Sequence, residues 1–306
     1  MINLIKEKVL NMSDRAEIIS VEQLPEIITE VKNIKDTGWL NGFQNFIVEN
    51  IYDFTLPETD FKINSIIIVA APSKLFNLTF INNGKKVSTY LPPTYYDYDS
   101  AHERVEKYLG DLLTPHGYHI SFAPRLPRKI LACKSGLSKY GRNNITYVDG
   151  IGSFYQLVTL YSDIPCDKKD LFEITEMNTC KTCTLCLQNC PTKAILKDRY
   201  LINNERCLTG INECGTDDFP EWIDKSAHNA IYGCVKCQIV CPHNRNNVIN
   251  SKDTVEFTEE ETLSLLNSVP FDEFSEDLKE KIMELNMKNY LSAIPRNLKV
   301  LFEQNL

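Results

Sequence analysis

Cys180-Lys-Thr-Cys183-Thr-Leu-Cys186-Leu-Gln-Asn-Cys190-Pro191 is the stretch on which this sequence turns. Three thiolates spaced two residues apart can wrap three corners of one [4Fe–4S] cubane, while the fourth, placed before a proline, points away toward a second cubane. Such a run therefore needs partners downstream. They are present as Cys207, Cys234, Cys237 and Cys241, the last again followed by proline, Pro242. The crossed pattern assigns Cys180, Cys183, Cys186 and Cys241 to one cluster, and Cys190, Cys207, Cys234 and Cys237 to the other. A structural zinc site would use two Cys-x2-Cys pairs instead. Disulfides do not suit a reducing compartment.

The surrounding composition agrees. Residues 176–248 are rich in Cys, Asn and Pro and poor in long apolar runs. A segment of this kind needs metal to supplement a thin hydrophobic core. Three further cysteines, Cys133, Cys166 and Cys214, read as small buried hydrophobes.

Outward from the cysteines, the 306 residues carry a length prior of roughly two domains. The first sixty residues read as helix, over Val21–Val31 and Trp39–Ile51. The run around Ile66–Ala71 suits a buried strand. Leu75–Ile81 and Lys86–Leu91 read as a hairpin closed through Asn82-Asn83-Gly84. Ser100–Leu113 has a helical apolar face, His119–Ala123 and Phe154–Tyr161 read as strands, and a glycine-punctuated loop fills Gly136–Gly152. After the cysteines, Thr258 and Glu261 form a capping box, Ser275 starts a second helix and Pro295 interrupts a third. The expected fold is thus α+β. An α/β sandwich over 1–172 precedes a two-cluster, ferredoxin-like domain over 173–250 and a short helical segment over 251–306.

Charge divides the chain. The net charge is −8. From Ser121 to Val148 there are Arg125, Arg128, Lys129, Lys134, Lys139 and Arg142 and no acid. The last segment is acidic, the wrong sign for a phosphate backbone. No apolar run approaches the ~18 residues of a membrane span, and the N-terminal residues lack a signal-peptide core, so the expected location is cytoplasmic with no membrane partner. No Gly-x-Gly-x-x-Gly follows a strand and no P-loop is present.

A cluster pair needs an electron acceptor, and the bare residues leave flavin and corrinoid both open. A family resemblance narrows this. Lys134-Ser-Gly-Leu-Ser-Lys139-Tyr-Gly141-Arg142-Asn143-Asn144 looks like the "AGLGWIGKNT" stretch of epoxyqueuosine reductases. Gly152-Ser153-Phe-Tyr155 with Asp163-Ile-Pro165, Cys190-Pro-Thr-Lys-Ala-Ile195, and Ile231-Tyr-Gly-Cys-Val-Lys-Cys-Gln-Ile-Val-Cys-Pro242 resemble further motifs of that family over roughly residues 60–250, with a fainter echo at Pro295-Arg-Asn-Leu298. The family is related to the reductive dehalogenases. The resemblance implies a nitroreductase-like N-terminal domain holding a base-off cobalamin, which the clusters would supply with single electrons. It points to Lys139, Gly141, Arg142, Asn143 and Ser153 as cofactor-binding residues.

Two departures shift the expected substrate. The family's catalytic acid lies in a "VDxGPxLER" segment, and the matching stretch Ile120–Arg128 has Ser121 at that place. The family's helical-repeat C-terminus, which helps hold tRNA, is mostly absent from this sequence. The expectation is a cobalamin-dependent iron–sulfur reductase of a small organic molecule. Its proton donor would come from the stretch Thr94–Asp99, with Tyr96, Asp97 and Tyr98 as candidates. His102 and His119 read as structural. An external low-potential donor of ferredoxin or flavodoxin type would supply electrons. Two alternatives stand beside this: epoxyqueuosine reduction on tRNA in queuosine biosynthesis, and a non-catalytic electron carrier.

Overall fold

The structure is a computed structural model, which describes all residues except 97, 168, 169, 214–217, 252, 305 and 306. Its described strands are β1 (Arg15–Ser20), β2 (Ser65–Pro72), β3 (Phe76–Asn82), β4 (Lys85–Leu91), β5 (Ile120–Phe122), β6 (Lys139–Tyr140), β7 (Thr146–Tyr147), β8 (Tyr155–Ser162) and β9 (Thr254–Phe257). Internal contacts gather the chain into two interleaved units, 1–72 with 99–183 and 198–201, and 73–98 with 184–197 and 202–306. The hairpin β3–β4 thus belongs to the same unit as most of the cysteine segment and the C-terminal helices.

In the first unit the strands run β1-β2-β8-β5, each pair antiparallel. The run Ser65-Ile-Ile-Ile-Val-Ala-Ala71 is buried throughout because β2 is central and covered on both faces. Alternation sorts its side chains. Ile67, Val69 and Ala71 meet Ile5 and Val9 of the helix Ile2–Asn11 and Val105 and Leu109 of the helix Tyr98–Leu113. Ile66 and Ile68 meet Ile27 and Val31 of the helix Leu24–Asp36 and Leu131 of the helix Arg128–Lys134. Each such fully buried isoleucine contributes roughly 1.5–3 kcal/mol of transfer free energy.

The second unit has the order β4-β3-β9, with β3 and β9 parallel. Asn83 and Gly84 turn the hairpin, both at positive φ, as a two-residue loop with the twist of the strands requires. Phe80 and Phe257 stack across the sheet at 4.5 Å. Leu278, Ile282 and Leu298 from the C-terminal helices close that core.

The structure corrects the sequence reading in three places. The first sixty residues are not all helical: Arg15–Ser20 is an edge strand on β2. Its six residues are too short for a clear period beside the helix that follows. Trp39–Ile51 is not one α-helix, since Gly42–Phe46 passes into a π-helical turn, Ile47–Ile51. Pro295 does not interrupt a helix but sits in the first turn of Ile294–Glu303, where its missing N–H costs nothing. No described helix is long and apolar enough to cross a membrane.

Candidate iron–sulfur centre

In the second unit the cysteines sit where short helices end. Cys186 lies in the helix Leu185–Asn189, and Cys190 is its extended C-cap, followed by Pro191, which cannot extend the helical ladder. Cys237 lies in the helix Lys236–Ile239, and Cys241 precedes the 3-10 turn Pro242–Asn244. The chain thus repeats one device twice. Cys207 caps the 3-10 turn Asn204–Arg206 and leads into the helix Leu208–Glu213. Gly233, at φ +68°, brings the backbone to Cys234, and a Cβ there would lie 2.3 Å from the Tyr95 hydroxyl.

The sulfurs receive polar hydrogens. The Ala194 N–H donates to Cys190 Sγ at 3.2 Å, and Asn229 Nδ2 donates to Cys234 Sγ at 3.2 Å. Asn229 is itself fixed, because its Nδ2 also reaches Ala227 O at 2.9 Å and its Oδ1 accepts from the Val235 N–H at 3.0 Å. The backbone and side chain of Thr209 both favour the thiolate of Cys207, and the Lys236 backbone favours that of Cys234. Burial nevertheless dominates. It pushes the Cys207 thiol up, and the Cys234 thiol up to about 11. A thiolate at either place needs a cation to displace its proton, and iron supplies one. Cys190 is near enough to disfavour the ionisation of Cys207, and Cys207 and Cys190 that of Cys234. Cys186, Cys207 and Cys237 pack against the apolar group Cys190, Ala194, Ile195 and Ile202. This donor set, thiols with N–H groups aimed at sulfur, suits an iron–sulfur cluster.

Cys180 and Cys183 belong to the first unit, with Cys180 in the 3-10 turn Asn178–Lys181. Arg142 donates to Cys180 O and lies 3.9 Å from Glu176, so this basic side chain holds the entry to the cysteine run. Cys133 is buried, its thiol pushed up to about 11 by burial, and Cys166 Sγ lies 3.7 Å from Ile18 O. Cys214 lies outside the described residues.

The loop residues singled out for a cofactor divide by exposure. Lys139 is exposed, whereas Gly141, Asn143 and Ser153 are buried within the protein. Asn143 donates to the Tyr147 hydroxyl at 2.9 Å, and a Cβ on Gly141 would fall 2.6 Å from the Tyr147 ring. These side chains build the loop.

The tyrosine stretch is also dispersed. Tyr96 packs on Phe76 at 4.4 Å, Tyr98 is 51 % exposed, and Asp97 lies outside the described residues. The buried member is Tyr95, which the sequence reading passed over. Its hydroxyl donates to Glu213, whose carboxyl is pushed up by burial, and its ring meets Tyr232 and Tyr290 edge-on at 4.9 and 5.1 Å. Ser121 pairs with Tyr161 across β5 and β8. His119 is bound to Asp163 at 2.8 Å and His102 stacks on Phe122 at 4.3 Å.

A family model described as a 4Fe-4S double cluster binding domain matches residues 179–244. The chain therefore carries a double [4Fe–4S] domain. Among curated proteins it is similar to the epoxyqueuosine reductase of Aliivibrio fischeri, 36 % identical over 41 % of this chain and 32 % of that protein. It is also similar to that of Leadbetterella byssophila, 28 % identical over 64 % of this chain and 61 % of that protein. The chain spans a third to a little over half of the length of the first curated relatives it matches. Its fold is that of an epoxyqueuosine reductase from Bacillus subtilis, with TM-score 0.63 at 18 % identity over 98 % of this chain and 81 % of the other. An epoxyqueuosine reductase solved with an epoxyqueuosine-modified tRNA stem loop gives TM-score 0.67 at 19 % identity, over 98 % and 81 %.

Proposed function

We propose, from its likeness to epoxyqueuosine reductases, that this chain is an iron–sulfur reductase which reduces epoxyqueuosine carried on tRNA. The observation that carries the reading is the double-cluster segment, 179–244, in a chain whose sequence relatives are named for that reaction. The chemistry is consistent with it. Converting an epoxide to an alkene takes two electrons and two protons and releases the oxygen as water. Two clusters, each a one-electron carrier, match that count. Cys180, Cys183, Cys186 and Cys241 would hold one, and Cys190, Cys207, Cys234 and Cys237 the other. A low-potential ferredoxin or flavodoxin would load them.

Cobalamin is the further cofactor that the likeness suggests. When bound it would supply a cobalt centre able to take single electrons. Of the five residues that the resemblance points to, Lys139 is the exposed one and would be free of the core to contact it.

A second reading has its own observations. By the sequence resemblance, Ser121 stands where the family's acid would be, and an unactivated hydroxyl is a poor proton donor. Residues 251–306 carry twice as many acids as bases, which disfavours a nucleic-acid surface there. Both favour reduction of a small organic molecule.

Anaerobic purification with iron counting comes first, followed by titration with hydroxocobalamin monitored by EPR. Turnover is then assayed by mass spectrometry of nucleosides, with reductant and tRNA bearing epoxyqueuosine. About eight irons per chain and formation of queuosine support the first reading. Eight irons with turnover of free epoxides alone support the second. Eight irons with no turnover of either overturn both and leave an electron carrier.

A further inference from the structure

Arg142 stands in the loop that closes the hairpin β6–β7 of the first unit. The hairpin is held locally. Lys139 pairs with Tyr147 and Tyr140 with Thr146, and the Gly141 N–H bonds to Ile145 O at 2.7 Å. Asn144 turns the chain at φ +60°, a left-handed position that asparagine accepts more readily than most residues. The same hairpin is tied to the residues that lead into the cysteines. The Tyr140 N–H bonds to Thr175 O at 3.3 Å, and the Met177 N–H to Tyr140 O at 2.8 Å. From there the Cys180 N–H bonds to Met177 O at 2.9 Å and the Cys183 N–H to Thr179 O at 3.2 Å. Backbone bonds thus bring Arg142 and Cys180 together, independently of the arginine side chain.

That side chain is 11 % exposed, and its guanidinium donates to Cys180 O. A cation with so little water around it is costly unless negative charge faces it. The Glu176 carboxylate lies 3.9 Å away, at the limit of an ion pair, and is 25 % exposed, so water screens it more than it screens the arginine. The Cys180 thiol belongs to the same residue as the carbonyl that the guanidinium holds. Cysteine thiolates around a [4Fe–4S] core give it net negative charge, and reduction adds to that charge. Lys181, the next residue, is exposed and its charge is screened by solvent.

We propose that Arg142 is a positioning residue for the cluster that takes Cys180: it fixes the Cys180 backbone and, as a buried cation, raises that cluster's reduction potential. This role rests on the two-cluster reading of the cysteines, and it needs no contact between Arg142 and a corrin. The sign follows from electrostatics. A fixed positive charge stabilises the reduced, more negative state, and a fixed negative charge opposes it. Arg142 and Glu176 therefore act on one cluster in opposite directions.

Iron is counted first in the anaerobically purified full chain, and the reduction of each cluster is then followed by EPR in a mediated redox titration. Arg142→Gln should make reduction of one cluster about tenfold less favourable, a shift of about 59 mV to lower potential for a one-electron couple. The other cluster should stay in place. Arg142→Lys keeps the charge and loses the planar fork, and should recover about half of the shift or more. Glu176→Gln should move the same signal to higher potential. Lys181→Gln should move it by less than about a third as much as Arg142→Gln. An arginine with a merely structural role would not produce opposite signs at Arg142 and Glu176. About eight irons per chain, with potentials that Arg142→Gln and Glu176→Gln leave unmoved, overturns this role and leaves the double-cluster reading standing. So does an equal shift of both clusters. An unsubstituted chain that holds no iron overturns both. If Arg142→Gln retains only about four irons, Glu176→Gln decides, and an unmoved potential in that variant overturns the role.

Discussion

At the scale of single residues, the polar side chains beside the cysteines bear on the candidate cluster site as well as the thiols themselves. Asn229 donates to Cys234 Sγ while two other hydrogen bonds hold it in place. Hydrogen bonds to sulfur stabilise the reduced, more negative cluster and raise its potential. Replacing Asn229 with Ala removes one such bond, worth about 1 kcal/mol. That corresponds to roughly 45 mV for a one-electron couple. A redox titration followed by EPR should therefore show one of two cluster signals moved to lower potential by that order, and the other unmoved. His228 makes a different prediction. It is 4 % exposed, 3.3 Å from Asn212 Oδ1 and against the Phe219 ring at 4.2 Å. Burial, and then the Arg296 charge, lower its pKa from 6.5 to about 4. Between these values the folded chain binds fewer protons than the unfolded one. Stability is full above about pH 6.5 and falls as the pH drops toward 4, with a slope approaching 1.4 kcal/mol per unit. Urea unfolding at pH 7.5 and 5.5 should show a loss of about 1 kcal/mol that His228→Gln removes. An identical pH response in that variant would show that His228 is not the group responsible.

At the scale of elements, the helix Glu259–Leu266 shows how one residue can serve two structures. Glu261 is 6 % exposed, and its carboxylate accepts from the Thr258 N–H at 2.7 Å and from Lys281 at 2.7 and 2.8 Å. It closes the capping box and ties this helix to Glu276–Glu284, which carries Lys281. Glu261→Ala loses the cap and leaves a half-buried ammonium short of its acid. The expected cost is about 2–3 kcal/mol, read as a lower denaturant midpoint, whereas Glu276→Ala, whose partner bond is exposed, should cost under about 1 kcal/mol. The capping box was legible because Thr258 and Glu261 lie three residues apart before an apolar run. The hairpin and β2 were legible for the same reason, that their signals are local. The strand β9 was not, because Thr254–Phe257 pairs in parallel with β3 across more than 170 residues. Nor was β1, whose two adjacent isoleucines face opposite sides of a sheet that only β2 completes. In the candidate site, the double-cluster segment was legible from the spacing of its cysteines. Asn229, Thr209 and the Tyr95–Glu213 pair were not, since their roles arise from contacts between distant parts of the chain and no short motif encodes them.

At the scale of the whole molecule, the two units differ in what holds them together. The first has apolar cores on both faces of β1-β2-β8-β5, and needs no metal for them. The second joins a conventional core around Phe80, Phe257 and Leu298 to a cysteine segment with only small apolar groups, such as Leu208 with Ile223 and Ala227. Metal binding to that segment contributes folding free energy directly. The segment is not uniformly dependent on it, however. The Ile231 N–H bonds to Tyr90 O at 2.9 Å. Asn297, fully buried, donates at 2.8 Å to both Asn212 O and Ile231 O. These bonds fasten the middle of the segment to the conventional core without any cluster. Removing iron with a chelator under oxidising conditions should then release amide protection in 184–207 and 234–250. Residues 230–232, β3 and the sheet around β2 should keep theirs. Hydrogen exchange of the loaded and stripped protein, read by peptide mass spectrometry, measures this directly. Unchanged protection in 184–207 after complete iron loss would mean that the small apolar groups suffice, and that the clusters serve electron transfer alone. Loss extending into β3 would mean that the clusters also hold the conventional core, against the independence that the Asn297 bonds imply.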